Sequence, residues 1–342
     1  MRSGRPGGKV RLEDVANLAG VSMKTVSNVV HDHPHVSAKM RERVQSAIDQ
    51  LGYRPNLTAR RLATGRTGML ALAIPEIDQP YFAEIVRYVA AEAAGRGYRV
   101  IVEQTLSEVE AERAIISDRE EGLVDGVIFH PMRIDTMEIA RLRPDTPLVL
   151  LGEVARPLTT DHVMIDNVAA ARVGVELLIA QGRSRIGFLA LVHGDITEST
   201  HLRLLGYQEA LVAAGMQIDP QLVLESTGWT VEEVMQTLLD ALAAGIRFDA
   251  IVCRDDLFAM AAMKALDRAG LSVPGDVAVL GWDDTRFARY STPAISSVSP
   301  DKAAIARTAL DLLEERMNGY DGVGRHRIAP HAVVERETTA PK

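Results

Sequence analysis

Apolar residues recur at helical spacing in three short stretches near the start of the chain. The repeat is i, i+3, i+4, i+7, which places such residues on one face of a helix. The positions are Leu12, Val15, Ala16 and Ala19 in the first stretch, Val26, Val29 and Val30 in the second, and Val44, Ala47, Ile48 and Leu51 in the third. Gly20 and Gly52 follow the first and third stretches, and Ser22 and Ser37 precede the second and third as N-cap residues. The pattern predicts three short helices with a tight turn between the first two.

From residue 68 onward, short apolar runs alternate with helical segments. The runs of strand length are MLALAIP, YRVIVEQ, DGVIFH, PLVLL, RIGFLAL, QLVLES, DAIVC and DVAVLGW, and IAPHAVVER is predicted as a last strand. Helices are predicted over 81–94, 108–121, 168–181, 203–214, 231–244, 257–269 and 300–318. Continuous apolar strands between helices indicate parallel sheets that are covered on both faces. We therefore predict an α/β body of two doubly wound parallel-sheet subdomains.

The segment that joins these two regions, 54–66, is too short to form a stable helix by itself. Asn56 can cap a helix of barely two turns, far below the roughly 12 residues at which isolated helices become marginal. Arg60 and Leu62 lie in this segment, which has no apolar face wide enough for a core. Two interpretations stay open: a segment that folds against a partner, and a flexible tether.

Charge divides the chain at the same place. Residues 1–66 have a balance of +7 and the remaining residues a balance of −15, within a total of −8. A basic front on an acidic body is expected where only the front meets phosphate. Cys253 is the single cysteine, no apolar run approaches the roughly 18 residues of a membrane span, and the N-terminus has no hydrophobic signal core. We therefore expect a cytoplasmic protein.

The second predicted helix has a polar face that is free to contact DNA bases. Its side chains donate hydrogen bonds or can touch an apolar base edge. The candidates are Ser22, Met23, Lys24, Thr25, Ser27, Asn28 and His31. Three short helices with a glycine-containing turn between the first two are typical of a helix-turn-helix domain, whose second helix enters the major groove.

Polar and aromatic residues gather near the carboxyl ends of the predicted strands, where open parallel sheets bind ligands. The candidates are Tyr81, Phe82, Ser199, Arg203, Trp229, Asp255 and Asp283. Carboxylates accept hydroxyl protons, arginine donates in a planar fork, and aromatic rings cover the CH faces of sugars. The set suits a polyol. Asp256 and Asp284 could equally be caps of the helices that follow their strands.

Several spaced blocks resemble the headpiece of the lactose-repressor (LacI/GalR) family of bacterial transcription regulators. These blocks are DVANLAGVS, KTVSNVV, VSAKMRERV and LGYRPN. The resemblance implies a DNA-binding domain over 1–53 and a hinge helix over 54–66, with Leu62 as a wedge in the minor groove at the operator dyad. The chain departs from the family at Asn28 and His31, where Arg and Asn are usual, so the family's base preference does not carry over.

The rest of the chain, 67–342, resembles the family's periplasmic-binding-protein-like effector domain. The blocks are DQPYFAEI, HVMIDN, LRLLGYQEAL, RDDLFAM and VPGDVAVLGWDD. The resemblance implies an N-subdomain over about 67–166 and 298–325 and a C-subdomain over about 167–297 and 326–342. It also implies effector contacts at Ser199, Arg203, Trp229, Asp255 and Asp283, with Tyr81 or Phe82 on the other lobe. Asp255 stands where Asn is usual, and this added carboxylate favours a neutral sugar over a sugar phosphate or a carboxylic acid.

Together these features predict a homodimeric transcriptional repressor that binds a near-palindromic operator under the control of a small-molecule effector. The alternative, a cytoplasmic sugar-binding or sugar-acting enzyme, has no use for the basic front, and the chain has no P-loop, HExxH or CxxC motif. A transport-linked binding protein would need an export signal. His31, His33 and His35 invite a metal site, but Pro34 and the lack of a fourth ligand favour a loop. We expect no catalytic residue, cofactor or metal.

Overall fold

The computed structural model describes residues 10–30, 35–53, 66–117, 123–142, 146–153, 158–192 and 197–339. The chain forms two compact units, Met1–Thr67 and Gly68–Lys342. The division after Thr67 lies within one residue of the boundary expected between the linker and the body. Each unit is described separately below.

The first unit is a three-helix bundle. Its helices are α1 (Leu12–Ala19), α2 (Met23–Val30) and α3 (Ala38–Leu51). One core joins them, and its most deeply buried side chains are Val15, Val26 and Val44. One of these valines comes from each helix, so the apolar stripes of the sequence meet as their spacing predicted.

Capping fixes where these helices begin and end. Ser22 Oγ accepts a hydrogen bond from the backbone N–H of Thr25 at 3.1 Å, and Ser37 caps α3 in the same way. Gly20 and Gly52 follow α1 and α3 with φ angles of 62° and 60°, in the left-handed region where glycine has no Cβ penalty. The predicted start and stop signals therefore act at the expected residues.

The second unit alternates strands and helices. Its strands are β1 (Met69–Ile74), β2 (Arg99–Gln104), β3 (Gly126–Phe129), β4 (Leu148–Leu151), β5 (Asp161–Ile165), β6 (Ile186–Val192), β7 (Val223–Ser226), β8 (Ala250–Cys253), β9 (Ala278–Trp282), β10 (Ser296–Pro300), β11 (His326–Ala329) and β12 (His331–Val334). Its helices are α4 (Pro80–Gly95), α5 (Val109–Ser117), α6 (Thr136–Leu142), α7 (Asn167–Ala180), α8 (Glu198–Ala213), α9 (Val231–Ala243), α10 (Asp256–Arg268), α11 (Arg286–Tyr290) and α12 (Lys302–Met317).

The strands form two six-stranded sheets, which define two lobes. The first lobe has the order β11-β5-β4-β3-β1-β2, and the second has the order β12-β10-β9-β8-β6-β7. All pairs are parallel except β10 with β12. Strands β3, β4, β8 and β9 are buried at every position because helices cover both faces of each sheet. The predicted fold class, a helical headpiece followed by two doubly wound parallel-sheet subdomains, is confirmed.

The prediction of one last strand over IAPHAVVER is wrong. Pro330 separates β11 from β12, and the two strands belong to different lobes. Proline cannot donate to a strand ladder, so the chain leaves one sheet there and joins the other. The lobe boundaries shift accordingly, because β10 belongs to the second lobe although 298–300 were expected in the first, and β11 belongs to the first lobe although 326–329 were expected in the second.

Two further differences from the predicted elements have local causes. Helix α8 begins at Glu198, five residues before the expected start, because Thr197 Oγ1 caps it by accepting from the backbone N–H of Thr200 at 3.3 Å. The described part of the helix predicted over 108–121 ends at Ser117. The apolar pattern did not predict β5, α6 or α11, because elements of only five to seven residues are too short to show a clear period. No helix in the described ranges combines the length and apolar composition that crossing a membrane requires.

Helices α7 and α8 approach each other closely at Gly206. A Cβ atom there would lie 2.2 Å from the carbonyl oxygen of Val168 and 2.9 Å from Cβ of Ala171. We expect Gly206→Ala to lower the free energy of unfolding by about 1–3 kcal/mol, because the two helices must separate. Chemical denaturation of the purified protein measures this loss. Gly95→Ala in α4 is the matched control, because nothing lies within 4 Å of its Cβ position, and it should be neutral or slightly stabilising. Equal stability of the two variants would contradict the prediction.

Candidate DNA-reading helix and interlobe cavity

Helix α2 presents two different faces. Val26 and Val29 are buried against the other two helices. On the other face the side chains are exposed or half-buried, and these are Ser22, Met23, Lys24, Thr25, Ser27 and Asn28. Met23 keeps 54% of its surface exposed, which leaves it available for contact with an apolar base edge.

The remaining predicted DNA contacts fall outside the described residues. These are His31 at the end of the reading helix and Asn56, Arg60 and Leu62 in the linker. Their predicted roles therefore stay predictions.

A cavity lies between the two lobes of the second unit, at the carboxyl ends of their strands. Its empty volume is about 980 Å³, including its open mouth. The polar and aromatic residues on its wall include Gln79, Tyr81, Phe82, His130 and Glu153 from the first lobe and Ser199, Arg203, Arg254, Asp255 and Asp283 from the second. Six of the seven predicted effector contacts are thus brought together on one cavity wall.

Arg203 is held in place by contacts within the second lobe. Its Nε donates to Oδ1 of Asn167 at 2.8 Å, and its Nη1 donates to the backbone carbonyl of Arg254 at 2.7 Å. The guanidinium also lies over the ring of Trp282, 4.0 Å from the ring centroid. Burial lowers the pKa of Arg203, while the negative charges of Asp283 and Glu153 oppose that shift. The result is a rigid cationic donor on the cavity wall.

Asp283 faces this donor as a buried acceptor. It is 8% exposed, and among the described residues no hydrogen bond uses its carboxylate oxygens. Burial raises the pKa of Asp283 to about 6, with a further rise from the charge of Asp255 and an opposing effect of Arg203. A carboxylate in this position can accept hydrogen bonds from ligand hydroxyl groups.

Asp255 is already engaged by its own lobe. Its Oδ1 accepts from the backbone N–H of Phe258 at 2.8 Å and so caps α10, while its Oδ2 accepts from Nε of Arg254 at 2.8 Å. The cap of α10 is therefore Asp255, and the interpretation of Asp256 as a cap is wrong. Asp255 lines the cavity mainly as a fixed negative charge beside Arg254.

Asp256 and Asp284 hold the second lobe together instead of capping helices. Asp256 accepts from the Oγ of Ser297 at 2.7 Å and from the backbone N–H of Thr285 at 2.7 Å. Asp284 accepts from Nη2 of Arg336 and from the Oγ of Ser299. Asp256 links the end of β8 to β10 and to the segment after β9, and Asp284 links the end of β9 to β10 and to the chain after β12, which sequence spacing does not reveal.

Trp229 does not lie on the cavity wall, in contrast to the predicted effector contact. The Arg254 guanidinium covers its ring at 4.2 Å from the centroid, and Phe258 packs beside it at 6.3 Å. On the first lobe, Tyr81 and Phe82 pack edge to face with 5.2 Å between their centroids, and both line the cavity. Burial raises the pKa of Tyr81, so its hydroxyl stays protonated and can donate.

His130 is a cavity residue that the sequence analysis missed. It is 9% exposed, its ring packs edge to face on Phe82 at 4.9 Å, and its Nδ1 has no hydrogen-bond partner among the described residues. Burial lowers the pKa of His130 to about 4, and the neighbouring His162 adds to this effect. The ring is therefore neutral near pH 7 and can form a hydrogen bond with a ligand hydroxyl group. A signal was present, because His130 ends the predicted strand DGVIFH.

Asp256 makes the stability of the second lobe depend on pH. Burial raises its pKa to about 7 from an ordinary value of 3.8, and the charge of Asp283 adds to this shift. The folded state therefore binds this proton more tightly than the unfolded state, so its contribution is full below about pH 4 and is lost as the pH rises towards 7. We expect Asp256→Asn to flatten the fall in melting temperature between pH 5 and pH 8.

The asparagine can keep the local hydrogen bonds, with its carbonyl towards Thr285 and its amide towards Ser297. Asp267→Asn is the control, because Asp267 is an exposed partner of Lys264 and should leave the pH profile unchanged. Identical pH profiles for Asp256→Asn and the unsubstituted protein would refute the assignment.

Comparisons with known proteins agree with this two-part arrangement. Residues 11–56 match the family described as "Bacterial regulatory proteins, lacI family", and residues 175–339 match the periplasmic binding protein-like domain. The chain is 31% identical over 331 residues to the HTH-type transcriptional regulator RegA of Clostridium saccharobutylicum, covering 96% of this chain and 98% of RegA.

Two solved structures are also similar over nearly the whole chain. A transcriptional regulator CelR–cellobiose complex is 30% identical with a TM-score of 0.71, covering 96% of this chain and 99% of the other. The lac repressor dimer bound to operator and the anti-inducer ONPF is 28% identical with a TM-score of 0.83, covering 97% and 99%. The chain therefore belongs to the lacI family of bacterial regulatory proteins.

Proposed function

We propose that this protein is a sequence-specific DNA-binding transcriptional repressor whose operator affinity is controlled by a small molecule held in the interlobe cavity. The observation that carries the proposal is the polar, accessible face of α2 on a helix-turn-helix unit that is joined in one chain to a two-lobed body with a cavity. A DNA reader and a ligand site in one chain are what a ligand-controlled repressor needs.

The reading surface is proposed to comprise the exposed face of α2 and the adjoining linker. Lys24 and Asn28 are the side chains best suited to paired contacts with base edges, and Leu62 is proposed as the minor-groove wedge. The similarity to a lac repressor dimer bound to operator supports a homodimer on a near-palindromic site, with a DNA-binding domain over 1–53 and a hinge over 54–66.

The effector is proposed to be a neutral sugar. Asp283 offers acceptors for hydroxyl protons, Arg203 offers a fixed donor, and Tyr81 and Phe82 offer aromatic surface. Asp255 and Asp283 would repel an anionic ligand in a buried site. The cellobiose bound to the similar CelR structure supports a sugar as the ligand class.

Control follows from thermodynamic linkage between the two sites. If the effector and the operator favour different arrangements of the lobes, each weakens the binding of the other by the same factor. If a sugar strengthens operator binding instead, the sugar is a corepressor. The same linkage then requires the operator to strengthen sugar binding by an equal factor.

Selection of DNA duplexes from a random pool by the purified protein tests the repressor function. We expect enrichment of a near-palindromic sequence at physiological salt. Lys24→Ala should change the selected bases and weaken binding to the selected duplex by about 1–3 kcal/mol. Lys39→Ala on α3 is the control, because loss of an exposed positive charge should leave the selected sequence unchanged. The absence of any selected sequence would overturn the proposal.

Thermal-shift measurements across neutral sugars, sugar phosphates and nucleosides test the ligand class. We expect the largest shift with a neutral sugar. A larger shift with a sugar phosphate would overturn the neutral-sugar assignment while leaving the repressor function in place.

We further propose that the chain acts in the cytoplasm and is not an enzyme. The single cysteine, Cys253, is buried, and burial raises its pKa well above the ordinary value, which makes it a poor nucleophile. Two of the acidic residues on the cavity wall have structural partners, since Asp255 pairs with Arg254 and Asp256 accepts from Ser297, which supports a binding site over acid/base catalysis.

A further inference from the structure

We propose that Lys302 is a positioning residue for the cavity, and that Lys302 and Glu84 together form a clasp that joins the two lobes behind the ligand. The pair is called the Glu84–Lys302 clasp below. The inference rests on the proposed function only in treating the cavity as the effector site.

Lys302 is buried, and its ammonium group is fully hydrogen-bonded. It begins α12 directly after the chain leaves β10, and it is 6% exposed. Its Nζ pairs with Oε2 of Glu84 at 3.0 Å and donates to the backbone carbonyls of Asp283 and Asp284. An ammonium group has three protons, and each of them has an acceptor here.

The two backbone carbonyls to which Lys302 donates belong to a strained segment. Asp283 and Asp284 have φ angles of 89° and 47°, which lie in the left-handed region that side chains other than glycine rarely adopt. Such backbone conformations persist only where neighbouring residues stabilise them. Lys302 binds both carbonyls, so it helps to set the direction in which the Asp283 side chain enters the cavity.

Glu84 connects the same segment to the other lobe. It lies on α4, one turn after Tyr81 and Phe82 on the cavity wall, and it is 8% exposed. Its Oε2 pairs with Lys302, while its Oε1 accepts from the backbone N–H of Arg286 at 3.0 Å. One carboxylate of the first lobe thus reaches both ends of the 283–286 segment of the second lobe.

This arrangement links ligand contact to lobe contact. A ligand that contacts Asp283 and Tyr81 at once contacts both sides of the clasp. Lys302 binds the backbone of Asp283, and Glu84 lies on α4, the helix that carries Tyr81. A buried ion pair contributes little net stability compared with an apolar pair of the same size, whereas a single unpaired partner is costly. We therefore expect the clasp to fix the position of the 283–286 segment more than it raises the free energy of unfolding.

Hydrogen exchange in the full-length protein, without DNA or ligand, tests the clasp. The variants are Lys302→Met, Glu84→Gln and the double variant, with Lys264→Met on the exposed face of α10 as the control. We expect each single variant to speed exchange in a peptide covering 283–288 at least tenfold, while exchange in α9 stays unchanged. The double variant should exchange no faster than the faster single variant, because each substitution breaks the same unit.

Three results would overturn the inference. Exchange over 283–288 could stay at the rate of the unsubstituted protein, the two substitutions could act additively, or α9 could speed up as much as 283–288, which would indicate general destabilisation. The measurement uses neither operator nor effector, so failure of the clasp leaves the repressor function untested, and failure to select DNA leaves the clasp result in place.

Discussion

Arg203→Ala is expected to abolish the response of operator binding to the effector while operator binding itself persists. Arg203 is the cavity residue with the most fixed geometry, since Asn167, the Arg254 carbonyl and the Trp282 ring all hold it. Its guanidinium is a ready donor to ligand hydroxyl groups, and alanine removes both the donors and the cation. The DNA-reading helix belongs to the separate first unit and is not altered by the substitution.

The expected loss of effector affinity is about 100-fold or more. Hydrogen bonds to charged groups contribute roughly 1.5–3 kcal/mol each, and the substitution also removes the positive charge of Arg203, which favours the ionised form of the buried Asp283. Isothermal titration with the sugar found by thermal shift gives the affinity, and gel shifts on the selected duplex with and without that sugar give the response.

Arg172→Ala is the matched control for this experiment. Arg172 lies on α7 with half of its side chain exposed, paired only loosely with Glu176 at 3.5 Å. Its loss should change neither effector affinity nor the response of operator binding. Retention of a normal response by Arg203→Ala would show that the effector binds elsewhere.

The sequence was informative where local spacing determines structure. The apolar repeat of α1, α2 and α3 also fixed which face of α2 stays polar, because a helix of known start has only one way to bury its valines. The same holds for the cavity, since the carboxyl ends of parallel strands must meet at one edge of a sheet. Arg203 and Asp283 were therefore predictable as neighbours although 80 positions separate them.

Contacts between distant side chains could not be obtained in this way. Spacing marks Asp256 as a possible cap, yet the turn geometry at the start of α10 gives that role to Asp255, which was predicted only as an effector contact. Trp229 seemed suited to cover a sugar, yet Arg254 occupies its ring face. The pairing of Glu84 with Lys302 depends on how α4 packs against α12, which no local pattern encodes.

Asp161→Asn is expected to cause the largest loss of stability. Asp161 on β5 is completely buried, and its Oδ2 accepts from Nε of Arg316 at 2.8 Å and from Nη2 of Arg325 at 2.9 Å. Arg316 lies on α12 and Arg325 precedes β11. The Asp161 carboxylate therefore joins both of these segments to β5 of the first sheet. Removing its charge takes the anionic partner from the largely buried Arg316, while Arg325 keeps only its pairing with the exposed Glu315.

The expected cost is about 3–5 kcal/mol in the free energy of unfolding near pH 7, the range for breaking a buried ion pair from one side. Asparagine keeps the size of the side chain and one acceptor oxygen, so the loss reports on charge and not on a cavity. Denaturant titration measures it, and Asp267→Asn at the exposed Lys264 pair should cost far less, because exposed ion pairs contribute little to stability. A loss of similar size in both variants would contradict a special role for Asp161.

The acid limb of the stability profile gives an independent test of the same interaction. Burial alone raises the pKa of Asp161, but hydrogen bonds from Arg325 and Arg316 outweigh it and hold the pKa at about 2, below the ordinary 3.8. A depressed pKa means that the folded state releases this proton more readily, so its contribution is present above about pH 4 and is lost as the pH falls towards 2. Asp161→Asn should therefore show a shallower loss of stability between pH 4 and pH 2, because the titrating group is gone. An unchanged acid slope would mean that other carboxylates dominate this limb.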